Sequence, residues 1–139
     1  MIDVVIDTNV VVAALRSEGG ASRQVLRRCF DGDFCPLFGT ALWMEYEDVL
    51  RRSQWGDGTT AEERMIVVGA LASTGRWVSI YFGWRPNLPD ESDNHLFELA
   101  VAGSAEFIIT HNTRDFRGAG LRWETPRVIT PSQALELKT

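Results

Sequence analysis

The length, composition and charge of the chain exclude several classes of protein before any motif is considered. With 139 residues, 45% of them hydrophobic, we expect one globular domain over residues 1–139 rather than a disordered chain. No apolar run is long enough to span a bilayer, and no basic segment precedes a hydrophobic one at the N-terminus, so we expect a cytoplasmic protein without membrane contact. The net charge of −5 argues against a protein that coats nucleic acid, although a nuclease with acids gathered in one metal-filled cleft remains compatible.

The cysteines and the cations give weaker indications. Cys29 and Cys35 have no metal-ligand spacing with the two histidines, so we expect reduced thiols near the core. Lys138 is the only lysine, and the remaining cations are arginines, which suit bidentate phosphate contacts. A GC-rich genome would produce the same bias.

The first predicted element is a strand over residues 2–6, whose β-branched apolar run is typical of a strand buried on both faces of a parallel sheet. The run stops at Asp7, and Thr8 and Asn9 then offer capping side chains for a helix that begins near Val10. This order places Asp7 at the carboxyl end of a central strand, where open α/β sheets bind ligands. The alternative is that Asp7 only caps the helix.

Helices and strands alternate along the rest of the chain, which predicts an α/β fold with a central, mostly parallel sheet of four to five strands. Strands are predicted over residues 34–38, 77–82, 107–110 and 128–129. Helices are predicted from the cap Ser22 to about Phe30, from Ala41 to about Arg52 with Thr40 as the cap, from the cap Thr60 to about Ser73, from Ser92 to about Ala102, and briefly at Pro131. On the first of these helices, Arg23, Arg27 and Arg28 lie largely off the buried face, where they would meet a polyanion or face solvent.

Glu45 is the second acidic residue of interest. In the helix that follows Thr40, Leu42, Tyr46 and Val49 define the core-facing stripe, and Glu45 falls at its border, three residues after Leu42. A carboxylate there is costly unless it is paired or bound to a metal. Glu45 is therefore either one half of an ion pair with an arginine or a metal ligand.

Asp93 is the third acidic candidate. It precedes Leu96 and Ala100 at helical spacing, which puts it in the first turn of a helix, on the face that packs against the sheet. A helix N-terminus favours an anion by about 0.3–1 kcal/mol, so Asp93 could serve the helix alone. Asp90, three residues earlier, is a candidate cap or outer ligand, and His95 is expected to face solvent.

The fourth acidic candidate follows a strand that ends at Thr110. The loop after this strand carries Asn112 and Asp115, which stand, like Asp7, at the carboxyl end of a strand. The alternative for Asp115 is an ordinary loop position anchored by a buried Phe116.

Taken together, the candidates place Asp7, Glu45, Asp93 and Asp115 around one crevice. Two carboxylates about 5 Å apart repel each other by roughly 3 kcal/mol at an effective dielectric near 20, so such a cluster needs compensation. Oxygen-rich sites without cysteine or histidine suit Mg²⁺ or Mn²⁺. Such ions orient a water, lower its pKa and stabilise charge on a phosphodiester, which points to metal-dependent phosphodiester hydrolysis.

The segments that carry these acids resemble the motifs of PIN-domain ribonucleases, particularly the toxin half of bacterial toxin–antitoxin pairs of the VapBC kind. The resemblance implies a three-layer α/β/α sandwich, dependence on Mg²⁺ or Mn²⁺, and cleavage of single-stranded or structured RNA. It also implies frequent homodimers and an antitoxin partner encoded nearby. The matching segments, in the order of the family, are residues 5–10, 45–50, 90–100 and 109–116.

By motif position, the resemblance implies metal ligands at Asp7, Glu45 and Asp93, and a supporting role for Asn9 beside the first of them. At the fourth acidic position this chain departs from the pattern. Many members of the family have Gly-Asp directly after the strand, whereas here that place is taken by His111 and Asn112. We expect Asp115 to be the fourth acidic ligand, directly or through a metal-bound water, with Asn112 in an accessory hydrogen-bonding role.

Two other functions stay open. A catalytically idle RNA- or protein-binding module on the same fold would bind metal weakly, which a Mg²⁺ titration would detect. A phosphohydrolase with an aspartyl nucleophile also begins with a strand and Asp-x-Asp, but here the second acid is replaced by Asn9, and the only lysine, Lys138, lies at the tail.

Overall fold

Twelve helices and strands make up the described part of the chain, which in this computed structural model comprises residues 1–17, 20–52, 59–80, 91–116 and 125–138, with the backbone alone for residues 91–94, 115 and 116. The strands are β1 (Ile2–Ile6), β2 (Phe34–Phe38), β3 (Arg76–Trp77), β4 (Phe107–Ile109) and β5 (Arg127–Ile129). The helices are α1 (Thr8–Arg16), α2 (Ala21–Phe30), α3 (Thr40–Leu50), α4 (Ala61–Ala72), α5 (Glu91–Ala102) and α6 (Pro131–Ala134), with a 3₁₀ helix at Thr113–Phe116.

The five strands form one sheet in the order β3-β2-β1-β4-β5, and every neighbouring pair is parallel. With helices around this sheet, the architecture is the three-layer α/β/α sandwich that the sequence predicted. The chain builds β2 and β3 on one side of β1, then crosses to add β4 and β5 on the other side. The order therefore reverses between β1 and β4, and such a switch point is where open α/β sheets form a crevice at the carboxyl ends of their strands.

β1 lies at the centre of the sheet, and its last three residues are buried. Val4, Val5 and Ile6 are at most 1% exposed, and Ile6 lies opposite Ile109 of β4. Helix α5 packs across β1, β2 and β4 and contributes the fully buried Phe97 to the core. A strand covered on both faces has no room for polar side chains, so the first polar residue after the apolar run falls at the edge of the sheet.

One of the predicted helix caps is present as expected. The Thr60 hydroxyl accepts a hydrogen bond from the Glu63 backbone N–H, and the Glu63 carboxylate accepts one from the backbone N–H of Thr60. This capping box satisfies two donors at the start of α4.

The caps predicted for α1, α2 and α3 are wrong, and the candidate cap Asp90 lies outside the described residues. The N-cap residues of α1, α2 and α3 are Asp7, Gly20 and Gly39, and none of them makes a side-chain capping bond. Thr8, Asn9, Ser22 and Thr40, proposed as caps, instead lie inside the helices. For the first three the physical reason is clear, because their side chains are engaged in hydrogen bonds to distant elements.

The third strand is shorter than predicted. The apolar pattern indicated residues 77–82, whereas β3 covers Arg76–Trp77, residues 78–80 lie outside any strand, and 81 and 82 lie outside the described residues. β3 pairs with β2 alone, and the last bond of this ladder runs from the Val78 N–H to the carbonyl of Phe38 (2.7 Å). Because β2 ends at Phe38, an edge strand beside it has nothing further to pair with.

Four arginines donate hydrogen bonds to carbonyls at the C-terminal ends of neighbouring helices. Cations are favoured there because the last carbonyls of a helix lack intrahelical partners. Arg23 and Arg28 thus bond the fold itself, which neither of the two alternatives for them, a polyanion contact or a solvent-facing position, foresaw, whereas Arg27 is exposed. Arg23 donates to the carbonyls of Ala14 and Leu15 in α1, and Arg64 donates to those of Leu50 and Arg52 at the end of α3. Arg76 donates to the carbonyl of Gly103 after α5. Arg28 donates to the carbonyls of Ala134, Leu135 and Leu137 in and after α6.

Both cysteines are free and buried, as expected from the sequence. Burial raises the pKa of the Cys29 thiol to about 12, so this residue is a core side chain rather than a reactive thiolate. Within the described residues, no helix combines the length and the apolar character needed to cross a membrane.

Candidate active site at the carboxyl edge of the sheet

Asp7 lies at the switch point of the sheet. It directly follows β1, and its backbone N–H donates to the carbonyl of Ile109 at the end of β4 (3.0 Å). It also precedes α1, so its carboxylate stands where a strand ends and a helix begins. The side chain is nearly buried, with 8% of the residue exposed.

The hydroxyl of Thr110 organises the end of β4. It donates to Oδ2 of Asp7 (2.7 Å) and accepts from Nδ2 of Asn9 (3.3 Å) and from the backbone N–H of Asn112 (3.1 Å). A hydroxyl has one proton to donate and two lone pairs, so these three bonds use its full capacity. The two partners other than Asp7 are N–H donors, so the proton of this fully buried hydroxyl points toward the carboxylate of Asp7.

Asn9 connects the same carboxylate to the loop after β4. Its Nδ2 lies 3.3 Å from Oδ2 of Asp7 and 3.3 Å from Oγ1 of Thr110, and its Oδ1 accepts the backbone N–H of His111 (3.2 Å). The rotamer of Asp7 is therefore restrained by two side chains that come from different elements.

Glu45 faces this crevice from α3. Thr8, the residue after Asp7, donates from its hydroxyl to Oε1 of Glu45 at 2.6 Å. The neighbouring Tyr46 is buried, and its phenol donates to the carbonyl of Ile6, which fixes α3 against the end of β1. Within the described residues, Glu45 forms no ion pair, so an arginine partner, the alternative expected for this border position, is not found there.

Burial is the largest influence on Asp7 and raises the pKa of its carboxyl. The hydrogen bond from Thr110 acts in the opposite direction, and the negative charge of Glu45 raises the pKa further. An anion that is buried, and that faces a second anion, gains stability from any cation that reaches it. The site therefore favours either a proton or a metal cation.

The other sequence candidates are described by their backbone or lie outside the described residues. Asp93 is in the first turn of α5, the helix that packs on β1 and β4, and Asp115 lies within the 3₁₀ helix after β4. Asn112 meets the site through its backbone N–H. Asp90 lies outside the described residues. Among the side chains that are described, no set of three or more His, Cys, Asp or Glu residues is close enough to hold a metal.

Sequence reasoning missed part of this site. Thr110 was identified only as a strand end, although a hydroxyl residue at the end of a buried strand is itself a signal of contact with the neighbouring strand end. Thr8 was read as a cap. The hydrogen bond between Ser22 Oγ and His111 Nε2 (2.9 Å) joins residues 89 positions apart, and nothing local in the sequence indicates it.

Comparisons with known proteins identify the family and the fold. A family model described as PIN domain matches residues 3–114. Among solved structures, the chain resembles a chain in the crystal structure of VapBC2 from Rickettsia felis bound to a DNA fragment from their promoter. The two are 12% identical, the match covers 93% of this chain and 98% of that chain, and the TM-score is 0.64, so this likeness concerns the fold alone. No curated protein matches the chain.

Proposed function

The chain belongs to the PIN domain family, whose members are generally nucleases, and on this basis we propose that it is a metal-dependent ribonuclease that hydrolyses phosphodiester bonds in RNA. The observation that carries the proposal is the pairing of Asp7 with Glu45 at the switch point of the sheet. The two carboxylates come from different elements, interact electrostatically, and receive hydrogen bonds from neutral side chains. Such an arrangement is costly for the fold alone and suited to binding a cation.

The donor set fits Mg²⁺ or Mn²⁺. Asp7 and Glu45 would hold the ion, with Asp93 and Asp115 completing the set, and all four offer oxygen, the donor that these ions prefer. The two bonds that described side chains donate to Asp7 both go to Oδ2, which leaves Oδ1 without a side-chain donor among them. When bound, the ion supplies an activated water and neutralises charge on the phosphodiester.

The residues of this chain contribute preorganisation. Thr110 and Asn9 fix the carboxylate of Asp7 before any ligand arrives, and Thr8 orients Glu45. A site held in place in advance spends no free energy on reorganisation when charge develops on the substrate. The bond from Tyr46 to the end of β1 keeps the two acidic residues at a constant separation.

The test is RNA cleavage by the purified chain with Mg²⁺ or Mn²⁺ and with chelator. Asp7→Asn keeps the shape and removes the charge, so cleavage should fall by at least ~100-fold, on the order of the loss when one electrostatic contribution is removed. The matched control is Asp3→Asn, on the same strand but ion-paired with Arg76 (3.3 Å), which should cleave normally. Cleavage that survives chelator, or equal loss in both variants, would overturn the proposal.

We further propose that the ribonuclease is the toxin of a toxin–antitoxin pair that acts on RNA in the cytoplasm as a homodimer. The support is the family together with a fold shared with a chain of VapBC2. Expression of the chain alone should arrest growth, and the product of an adjacent gene should relieve the arrest and co-purify with it. If no neighbouring gene product does so, the chain is a free-standing nuclease. Size-exclusion chromatography of the purified chain measures the oligomeric state.

A further inference from the structure

The histidine after β4 is held at two points. Its Nε2 lies 2.9 Å from the hydroxyl of Ser22 in α2, and its backbone N–H donates to Oδ1 of Asn9 (3.2 Å). Ser22 is 4% exposed, whereas His111 is exposed to solvent. A buried hydroxyl thus anchors one edge of an otherwise accessible imidazole, which fixes the ring without covering it.

The backbone of His111 is tied to the acidic crevice by hydrogen bonds. Asn9, which holds the backbone of His111, also donates to the carboxylate of Asp7, so two hydrogen-bonded steps separate His111 from the candidate metal ligand. The Ser22 hydroxyl can donate to Nε2, in which case the neutral ring carries its proton on Nδ1. A fixed N–H donor of this kind requires no charge on the ring.

A polyanion that approaches two carboxylates needs donors at the rim, and two of the three arginines on the neighbouring helix α2 are already engaged. Arg23 and Arg28 of α2 donate to helix-end carbonyls, so they are not available to phosphate in this geometry. His111 is exposed, and Arg114 follows it as an exposed residue on the 3₁₀ helix. The loop after β4 therefore offers donors that Arg23 and Arg28 do not.

We propose that His111 binds RNA, donating from Nδ1 to a phosphate oxygen of the strand that lies across the crevice, and that Ser22 positions the ring for this contact. The inference rests on the proposed ribonuclease function and deepens it, because it assigns a substrate contact to a residue outside the acidic set. It requires no bond to form or break at the histidine. Stacking of the ring on an unpaired base is the competing role.

The experiment measures kcat and KM with Mn²⁺ on a fluorescently labelled single-stranded RNA of mixed sequence, and binding of the same RNA to each variant in an Asp7→Asn background, where cleavage is blocked. His111→Ala should raise KM by about tenfold or more, the size of one hydrogen bond to a charged group, with a smaller change in kcat. His111→Asn, whose amide N–H lies near the position of Nδ1, should restore much of the loss, and His111→Phe should not. Ser22→Ala should shift KM in the same direction by less.

The matched control is His95→Ala, which removes the only other histidine and should leave KM unchanged. Equal melting temperatures and equal Mn²⁺ affinity across the variants exclude a general disturbance of the fold or of the carboxylates. If the wild type cleaves RNA and His111→Ala has the same KM, the inference is wrong while the proposed function stands. Rescue by phenylalanine rather than asparagine would replace the phosphate contact with stacking. A wild type that neither cleaves nor binds RNA would overturn both proposals.

Discussion

The acidic crevice and the C-terminal ends of the helices differ in how their charges are compensated. At the end of α3, the guanidinium of Arg64 is 3% exposed and donates to the carbonyls of Leu50 (2.7 Å) and Arg52 (2.8 Å) and to Thr59. Its charge is surrounded by acceptors. At the crevice, Asp7 and Glu45 repel each other and receive hydrogen bonds from neutral side chains.

The difference shows what each region is built for. Arginine serves the helix ends because its planar fork reaches several carbonyls at once, which one ammonium group does less well. In the part of the chain that the structure describes, no cation forms an ion pair with Asp7 or Glu45. Charge that stabilises the fold is therefore balanced within the protein, and charge at the crevice is left for a ligand to balance.

The largest expected effect tests which residue is the fourth acidic member of the crevice. Under saturating Mn²⁺, Asp115→Asn should lower RNA cleavage by roughly 100-fold, as for the loss of one electrostatic contribution. Asn112→Ala should cost far less, because the structure uses the backbone N–H of Asn112, which alanine keeps. The reverse ranking, with both variants folded, would make Asp115 a loop anchor and leave the site with three carboxylates.

The next effect tests the arginine bonds at the C-terminal ends of the helices. Arg64→Met removes the donors of a buried guanidinium and leaves carbonyls at the end of α3 without partners, at about 1–3 kcal/mol for each unsatisfied group. Arg51→Met is the matched control, since Arg51 makes an exposed i,i+4 pair with Glu47 that is expected to contribute about 1 kcal/mol or less. Urea unfolding measures both. Equal losses would mean that the buried network adds nothing beyond a surface ion pair.

The fold was predictable because its main signals are local. The β-branched run before Asp7 and the alternation of helices with strands predict a parallel α/β sheet without any knowledge of tertiary contacts. The order of the strands is a different matter, since the reversal between β1 and β4 depends on which side each crossover takes. The length of β3 also depends on its neighbour, because pairing ends where β2 ends at Phe38.

Candidate site residues could be predicted where their position in a strand or helix identifies them, but not where only their hydrogen-bond partners do. A carboxylate directly after a buried strand, or at the border of a helical stripe, is visible in the sequence, so Asp7 and Glu45, which the structure brings near each other, were both among the candidates. The hydroxyl residues were misread, because Thr8 and Ser22 look like caps and only the folded chain brings them to Glu45 and His111. For Arg23 and Arg28, likewise, the sequence offered a polyanion contact or solvent, and only the folded chain shows their bonds to helix-end carbonyls.

The smallest effect concerns the stability of the fold without metal, when the charge of Asp7 in the crevice is not compensated by a cation. Burial and the negative charge of Glu45 raise the pKa of Asp7 above its ordinary value of 3.8, and the hydrogen bond from Thr110 offsets only part of that rise. Between 3.8 and the raised pKa, the folded state therefore binds more protons than the unfolded state, and stability falls as the pH rises through this window. At neutral pH in chelator, the ionised Asp7 should thus destabilise the fold.

Asp7→Asn removes this cost, so the variant should melt a few degrees above the wild type at pH 7 in chelator. The advantage should shrink as the pH falls toward 3.8, where the wild-type carboxyl becomes protonated in both states. Added Mg²⁺ or Mn²⁺ should stabilise the wild type more than the variant, because only the wild type keeps the anion that the cation binds. Melting curves over this pH range, with and without metal, measure all three trends. A variant that melts below the wild type in chelator at pH 7 would show that the bonds from Thr110 and Asn9 outweigh the burial of the charge.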